Sequence, residues 1–206
     1  MAFGSGGFNL TYIVVLIVVL LISMTVHEFM HALTGYWLGD STAKSEGRLS
    51  LNPVRHIDPM MTLVLPIVTI LVFGAPFLAA KPVPFDPGRI KYREYGAALL
   101  ALAGPLSNLV LAFLGALLFH SLAPLSFMSQ AMALFVQINV ILFVFNLVPI
   151  PPLDGSRVLY AFAPEPVQEF MQRVEPYGFF IILALVLVGF GSLLSNVYQS
   201  VLNFLP

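Results

Sequence analysis

The chain has 206 residues, of which 59% are hydrophobic and only 9% charged, against about 25% charged in a soluble domain. So few charges cannot coat a soluble globule, and a mean hydropathy of +0.94 requires lipid to solvate much of the surface, as in an integral membrane protein. A net charge of −1 without basic runs excludes a nucleic-acid footprint, and the absence of cysteine excludes disulfides, thiolate metal sites and thiol catalysis, so any metal must be held by His and carboxylates.

In chain order, Leu10 to about Leu33 is an apolar run long enough to cross a hydrocarbon layer of about 30 Å at about 1.5 Å per residue. It reads as a span and not a cleaved leader, because no Lys or Arg precedes Lys44 and the helical pattern continues into polar residues at 25 to 31. Gly47-Arg48-Leu49-Ser50-Leu51 alternates polar and apolar side chains, as a short half-buried strand would, before Asn52-Pro53 breaks it. Met60 to Ala79 is apolar but interrupted by Pro66, Gly74 and Pro76, which disfavours a straight lipid-exposed helix. Lys81-Pro82-Val83-Pro84-Phe85 is extended, and its prolines confine it to an edge or an irregular loop. Tyr95 to Leu122, Ala131 to Val148 and Tyr177 to Phe204 read as three further spans.

The basic residues order these segments. All 9 Lys and Arg lie in three connecting stretches: Lys44, Arg48 and Arg55; Lys81, Arg89, Lys91 and Arg93; Arg157 and Arg173. If Met60 to Ala79 dips in and returns, every one of them falls on a single face, as the positive-inside rule asks of a cytoplasmic face. The expectation is an all-α polytopic membrane protein forming one domain over residues 1–206. It has about four full transmembrane helices, a re-entrant or short-strand segment at 60–79, and both termini outside.

Within the first span sits His27-Glu28-Phe29-Met30-His31. On a helix the two histidines lie about 40° apart and one turn above the other, so both imidazoles can grip one ion while Glu28 reaches a water bound to it. A glutamate in an apolar span is expensive, about 3 kcal/mol on insertion scales, and is seldom retained for packing alone. Catalytic zinc wants a third protein ligand and an open position. The candidates are His56, His120, Asp40, Asp58, Asp86, Glu94 and Asp154. Asp154 is preferred. It closes Asn146-Leu147-Val148-Pro149-Ile150-Pro151-Pro152-Leu153-Asp154-Gly155, where three prolines break a span end and free polar groups to line a cavity. The competing reading pairs it with Arg157, three residues on.

Three further residues are weaker candidates for holding substrate. Asn108, in Ala103-Gly104-Pro105-Leu106-Ser107-Asn108 at the opening of the next span, could bind a substrate carbonyl or N–H, or only join helices. Asn146 faces the same choice or braces the proline-broken turn. His56 could enter the site as a proton donor, or bond to Asp58 in its loop. Trp37 and Tyr36, just past the first span, fit an interfacial aromatic belt.

With HEFMH in a span, AGPLSN, NLVPIPPLDG and the NPVRHID segment together, the chain resembles the site-2 protease family of intramembrane zinc metalloproteases over roughly residues 17 to 160. The resemblance implies that His27, His31 and Asp154 bind one zinc ion, that Glu28 is the catalytic base, that Asn108 and Asn146 help position substrate, and that the site lies in the membrane near the cytoplasmic side. It implies transmembrane segments of membrane proteins as substrates, received as an added strand along 47–52 and 79–86. The chain departs from larger members in leaving no room between its spans for a PDZ domain, and a minimal form without PDZ or nucleotide-sensing domains is expected. The expected setting is the plasma (inner) membrane of a prokaryote, with basic loops cytoplasmic. Two rivals come from other classes: a membrane metal-ion transporter, since intramembrane His and Asp also mark ion pathways, and a catalytically silent relative that only binds helices.

Overall fold

The structure, a computed structural model, describes residues 10–57, 83–187 and 190–206. These residues are helical, with no strand among them. The order is α1 (Leu10–Trp37), α2 (Thr42–Ser45), a 3-10 turn (Pro53–His56), α3 (Arg93–His120), α4 (Phe127–Asn146), α5 (Asp154–Phe162), α6 (Glu165–Val174), a second 3-10 turn (Glu175–Tyr177), α7 (Gly178–Leu187) and α8 (Phe190–Phe204). Three of these, α1, α3 and α4, are long and apolar enough to cross a membrane. The fourth expected span is described as two shorter helices, α7 and α8, on either side of 188–189. The expected re-entrant stretch 60–79 lies outside the described residues.

The strand expected at 47–51 is a loop. Its alternation runs the wrong way for a half-buried strand: Arg48 is 4% exposed while Leu51 is 60% exposed. The Arg48 guanidinium donates to the Arg55 carbonyl, and the Arg48 N–H closes a turn on the Ala43 carbonyl at 2.8 Å. The described part of the second extended stretch, from Val83, also pairs with no strand, and Pro84 has no N–H to offer a ladder.

Helix α3 is central, packing against α1, α4 and α5. Its Ala112 and Ala116 are buried against Val136, Val140 and Val144 of α4, with Leu194, Tyr198 and Val201 of α8 closing the cluster. At Gly115 a Cβ would stand 3.0 Å from Phe135 and Val136. Small residues one turn apart let two backbones approach where lipid provides no hydrophobic drive between helices. The outer faces are apolar: Val14, Ile17, Val18 and Ile22 on α1, and Val110, Phe113, Leu114 and Leu117 on α3, are exposed. The inner face of α1 is the reverse, with Ser23, His27, His31 and Gly35 recurring every fourth residue and all buried. The helix is amphipathic inside out, as a lipid-solvated helix with a buried polar site should be.

Beyond α1 the chain is tied back to the start of α3. Gly39 takes φ +102°, a conformation few side chains adopt, and the Lys91 N–H donates to the Leu38 carbonyl at 2.9 Å. Buried Asp40 accepts from the Thr42 N–H at 2.9 Å, the Thr42 hydroxyl at 2.6 Å and the Asp86 N–H at 2.7 Å. Burial alone would push this carboxyl up, but those donors and Arg89 hold it below its ordinary value. A depressed carboxyl contributes stability that is complete above its unfolded pKa, near 4, and is lost as pH falls through the lower folded value. Asp40→Ala should therefore cost about 1–3 kcal/mol near pH 7. Denaturation in detergent should show the gap between wild type and variant closing as pH drops below about 4.

Candidate metal centre

Three side chains that could hold a metal ion, His27, His31 and Asp154, converge from two places in the chain. The histidines are successive rungs of α1, their rings 4.6 Å apart and nearly perpendicular at 86°. Their Nε2 atoms are 3.0 Å apart, and the Asp154 Oδ2 lies 3.1 Å from that of His27 and 3.3 Å from that of His31. Three donors about 2.0–2.1 Å from a shared ion in tetrahedral coordination are about 3.3 Å from one another. The observed triangle is one face of such a tetrahedron, contracted by a few tenths of an ångström. The donor set, two imidazoles and one carboxylate with the fourth corner left over, fits zinc in an open site.

Each imidazole is held by its other nitrogen. His27 Nδ1 donates to Asn108 Oδ1 at 2.6 Å, and His31 Nδ1 donates to the Leu100 carbonyl at 2.7 Å. A carbonyl can only accept, so the ring proton sits on Nδ1 and the Nε2 lone pair faces the triangle. Both acceptors are on α3, which begins at Arg93, so Gly104 and Pro105 lie well inside the helix and not at its opening as the sequence reading had it. Pro105 offers no N–H to the carbonyl of Ala101, one residue past Leu100, and loosens the helix there. At Gly104 a Cβ would collide with His31 and stand 2.7 Å from His27 Nε2, so only glycine lets α3 lie on the imidazole pair.

Asp154 is delivered by a broken chain. After α4 ends at Asn146, the proline-rich turn reverses direction and α5 begins on Asp154 itself, where the helix N-terminus favours negative charge. Gly155 permits the tight return, because a Cβ there would collide with the Leu147 carbonyl. The competing partner is drawn away, since Arg157 pairs with Glu175 at 3.0 Å and lies over the Phe85 ring at 5.0 Å.

The other expected residues fall elsewhere. Glu28 is buried beside His27, with no hydrogen-bond partner among the described residues. Asn108 is wholly buried and spends its amide inside the protein, donating to the Ser23 carbonyl at 3.3 Å and to Asn139 Oδ1 at 2.9 Å. Asn146 turns back on its own helix, donating to the Leu142 carbonyl at 2.9 Å. His56 bonds the Ser50 carbonyl at 2.7 Å, and no described hydrogen bond or ion pair joins it to the triad. Asp86 pairs with Arg89 at 3.1 Å, and His120 is exposed at the far end of α3. Asn139 and Ser23, behind Asn108, are not singled out by motif. Their signal in the sequence is only that an amide and a hydroxyl inside apolar spans need partners there.

The chain is 40% identical over 186 residues to the Bacillus subtilis protein named "Putative zinc metalloprotease YwhC", covering 86% of this chain and 82% of that one. It is 34% identical over 191 residues to "Putative zinc metalloprotease Rip2" of Mycolicibacterium smegmatis, covering 86% and 70%. The chain belongs to the site-2 protease-like zinc metalloproteases. A Methanocaldococcus jannaschii relative named "Putative zinc metalloprotease MJ0611" is 39% identical over 97 residues, covering 47% of this chain and 50% of its own. No family model and no solved structure matches the chain.

For this metalloprotease, zinc is the cofactor that the relatives and the His27–His31–Asp154 group support. Gly104→Ala should drive both imidazoles off the triangle. Zinc affinity, measured by chelator competition on the detergent-purified protein, should fall at least about tenfold, as for loss of a ligand-orienting contact.

Proposed function

We propose that this zinc metalloprotease hydrolyses a peptide bond in or near the transmembrane segment of membrane-protein substrates, in the plasma membrane of a prokaryote and without an inserted PDZ domain. The observation that carries this is the depth of the triad. His27 lies ten residues before the end of α1 at Trp37, about 15 Å along a helix long and apolar enough to cross the bilayer. A substrate helix sharing the bilayer would lie at that depth.

His27, His31 and Asp154 would hold the ion. When bound there, zinc supplies a Lewis acid that polarises a carbonyl and brings the pKa of a coordinated water toward about 7. Glu28 takes a proton from the attacking water as its oxygen joins the scissile carbonyl carbon, and returns that proton to the nitrogen as the C–N bond breaks. Asn108 keeps His27 oriented. Asn146 Oδ1, without a partner among the described residues, is free to receive a substrate N–H, and His56 is a further polar group from the basic loops. A helical substrate hides its carbonyls in its own hydrogen bonds and must unwind first, so helix-breaking residues near the scissile bond favour cleavage. A cleft of about 550 Å³ lined by Phe85, Arg93, Pro151, Ser156 and Glu175 flanks Asp154 in sequence on both sides and is the proposed route for water.

The proposed topology has four spans, a re-entrant stretch at 60–79 and all basic loops on the cytoplasmic side. The contacts between those loops support it. The Lys91–Leu38 bond and Asp40–Asp86 bond join the loop after α1 to the one before α3, and Arg157 over Phe85 brings the third basic stretch to the same place. Neither rival is favoured: the relatives are named metalloproteases, and a carrier gives no role to Glu28 between two ligands. Glu28→Gln separates the readings. It should retain stoichiometric zinc and cleave a model single-span substrate about 10²–10⁴-fold more slowly. Loss of zinc, or cleavage at the wild-type rate, would refute the role given to Glu28.

A further inference from the structure

Behind the metal triangle a chain of polar side chains runs away from the ion through the packed helices: His27 on α1, Asn108 on α3, Asn139 on α4, and back to Ser23 on α1. Asn108, Asn139 and Ser23 are each 0% exposed. We infer that Asn139 is a positioning residue for the metal centre, which sets the orientation of the Asn108 amide and through it the proton on His27. The inference rests on the zinc-site reading above and concerns a residue outside the recognised motifs.

The direction of every bond in the chain is fixed by two backbone carbonyls, Phe135 at its far end and Ser23 beside Asn108. Asn139 Nδ2 donates to the Phe135 carbonyl at 2.8 Å and to the Ser23 hydroxyl at 2.9 Å. The Phe135 carbonyl is backbone and can only accept, so the NH₂ of Asn139 must face it and Oδ1 must face Asn108. That oxygen receives Asn108 Nδ2 at 2.9 Å, and the Ser23 carbonyl receives the second hydrogen at 3.3 Å. Both hydrogens of Asn108 are then committed, and its Oδ1 is the atom left to face His27 Nδ1 at 2.6 Å. An acceptor at that place holds the ring proton on Nδ1 and leaves Nε2 as a lone pair.

The reverse orientation shows what is at stake. With Asn108 turned over, an N–H would face His27 Nδ1, the ring proton would move to Nε2, and an N–H would point into the triangle where a ligand is required. Water cannot repair this at sites wholly closed to solvent. Turned over, Asn108 would also set its oxygen against two acceptors, Asn139 Oδ1 and the Ser23 carbonyl.

The test uses the full chain in detergent with Asn139→Leu, which keeps the volume and removes the polarity, and Asn139→Ser should the first fail to fold. Zinc affinity is measured by chelator competition, and the His27 tautomer in zinc-free, ¹⁵N-histidine-labelled protein by its ring nitrogen resonances. The expected result is affinity weakened by about 10–100-fold, with the His27 proton shifted from Nδ1 toward Nε2. Affinity within about threefold of wild type with the proton still on Nδ1 would overturn the inference, even if the melting temperature fell, because Asn139 would then only pack. Failure of the wild type itself to bind zinc would instead refute the metal-site reading.

Discussion

Two imidazole N–H groups must be satisfied where there is no water, and the arrangement of the helices follows from where they find acceptors. His27 and His31 face inward from a helix whose opposite side is Val14, Ile17, Val18 and Ile22. An unpaired donor in that setting costs about 1–3 kcal/mol or more, so a second helix has to bring acceptors within about 3 Å. Helix α3 does this with a backbone carbonyl at Leu100 and an amide at Asn108. The approach is possible because Gly104, between them, carries no side chain. The same contact that satisfies the N–H groups aims the lone pairs, so the stability of the pair α1–α3 and the ligand geometry are one interaction.

The third donor arrives by a different principle. Regular spanning helices keep their backbone polar groups to themselves, and a ligand at the end of one would normally be carried away into the loop. The proline-rich segment after α4 turns the chain under the bundle, and α5 starts on the carboxylate, packed against α3. Hydrophobic contacts anchor the turn, with Val148, Leu153 and Ile182 buried together. Arg157, which would neutralise Asp154 in a surface loop, is occupied by Glu175. The carboxylate is thereby left for the histidines.

Helix α3 thus serves three neighbours with three kinds of surface. Polar atoms and a glycine meet α1, small residues meet α4, and its N-terminal half meets α5, while its remaining face is apolar and exposed. The Asp40 loop fixes where this helix begins by gripping the backbone at Asp86 and Leu38 to Lys91. A displacement of α3 would be felt at both imidazoles at once, since both of their acceptors lie on it.

The amino-acid sequence alone determined the membrane class, three long apolar helices among the four spans it led one to expect, and the His and carboxylate groups able to hold a metal, because composition, apolar run length and the four-residue spacing of His27 and His31 are local properties. It also pointed to Asp154, since a lone carboxylate after three prolines is conspicuous in an apolar chain. What it could not supply is which groups meet across helices. The alternation at 47–51 suggested a strand, yet burial of Arg48 and exposure of Leu51 depend on what packs over the loop. Asn108 read as equally suited to substrate or to a neighbour, and Asn139 did not stand out. Hydrogen bonds between residues 81 apart, as for His27 and Asn108, and 31 apart, as for Asn108 and Asn139, leave no periodic trace. Only the packing of α1, α3 and α4 decides which amide atom faces which ring.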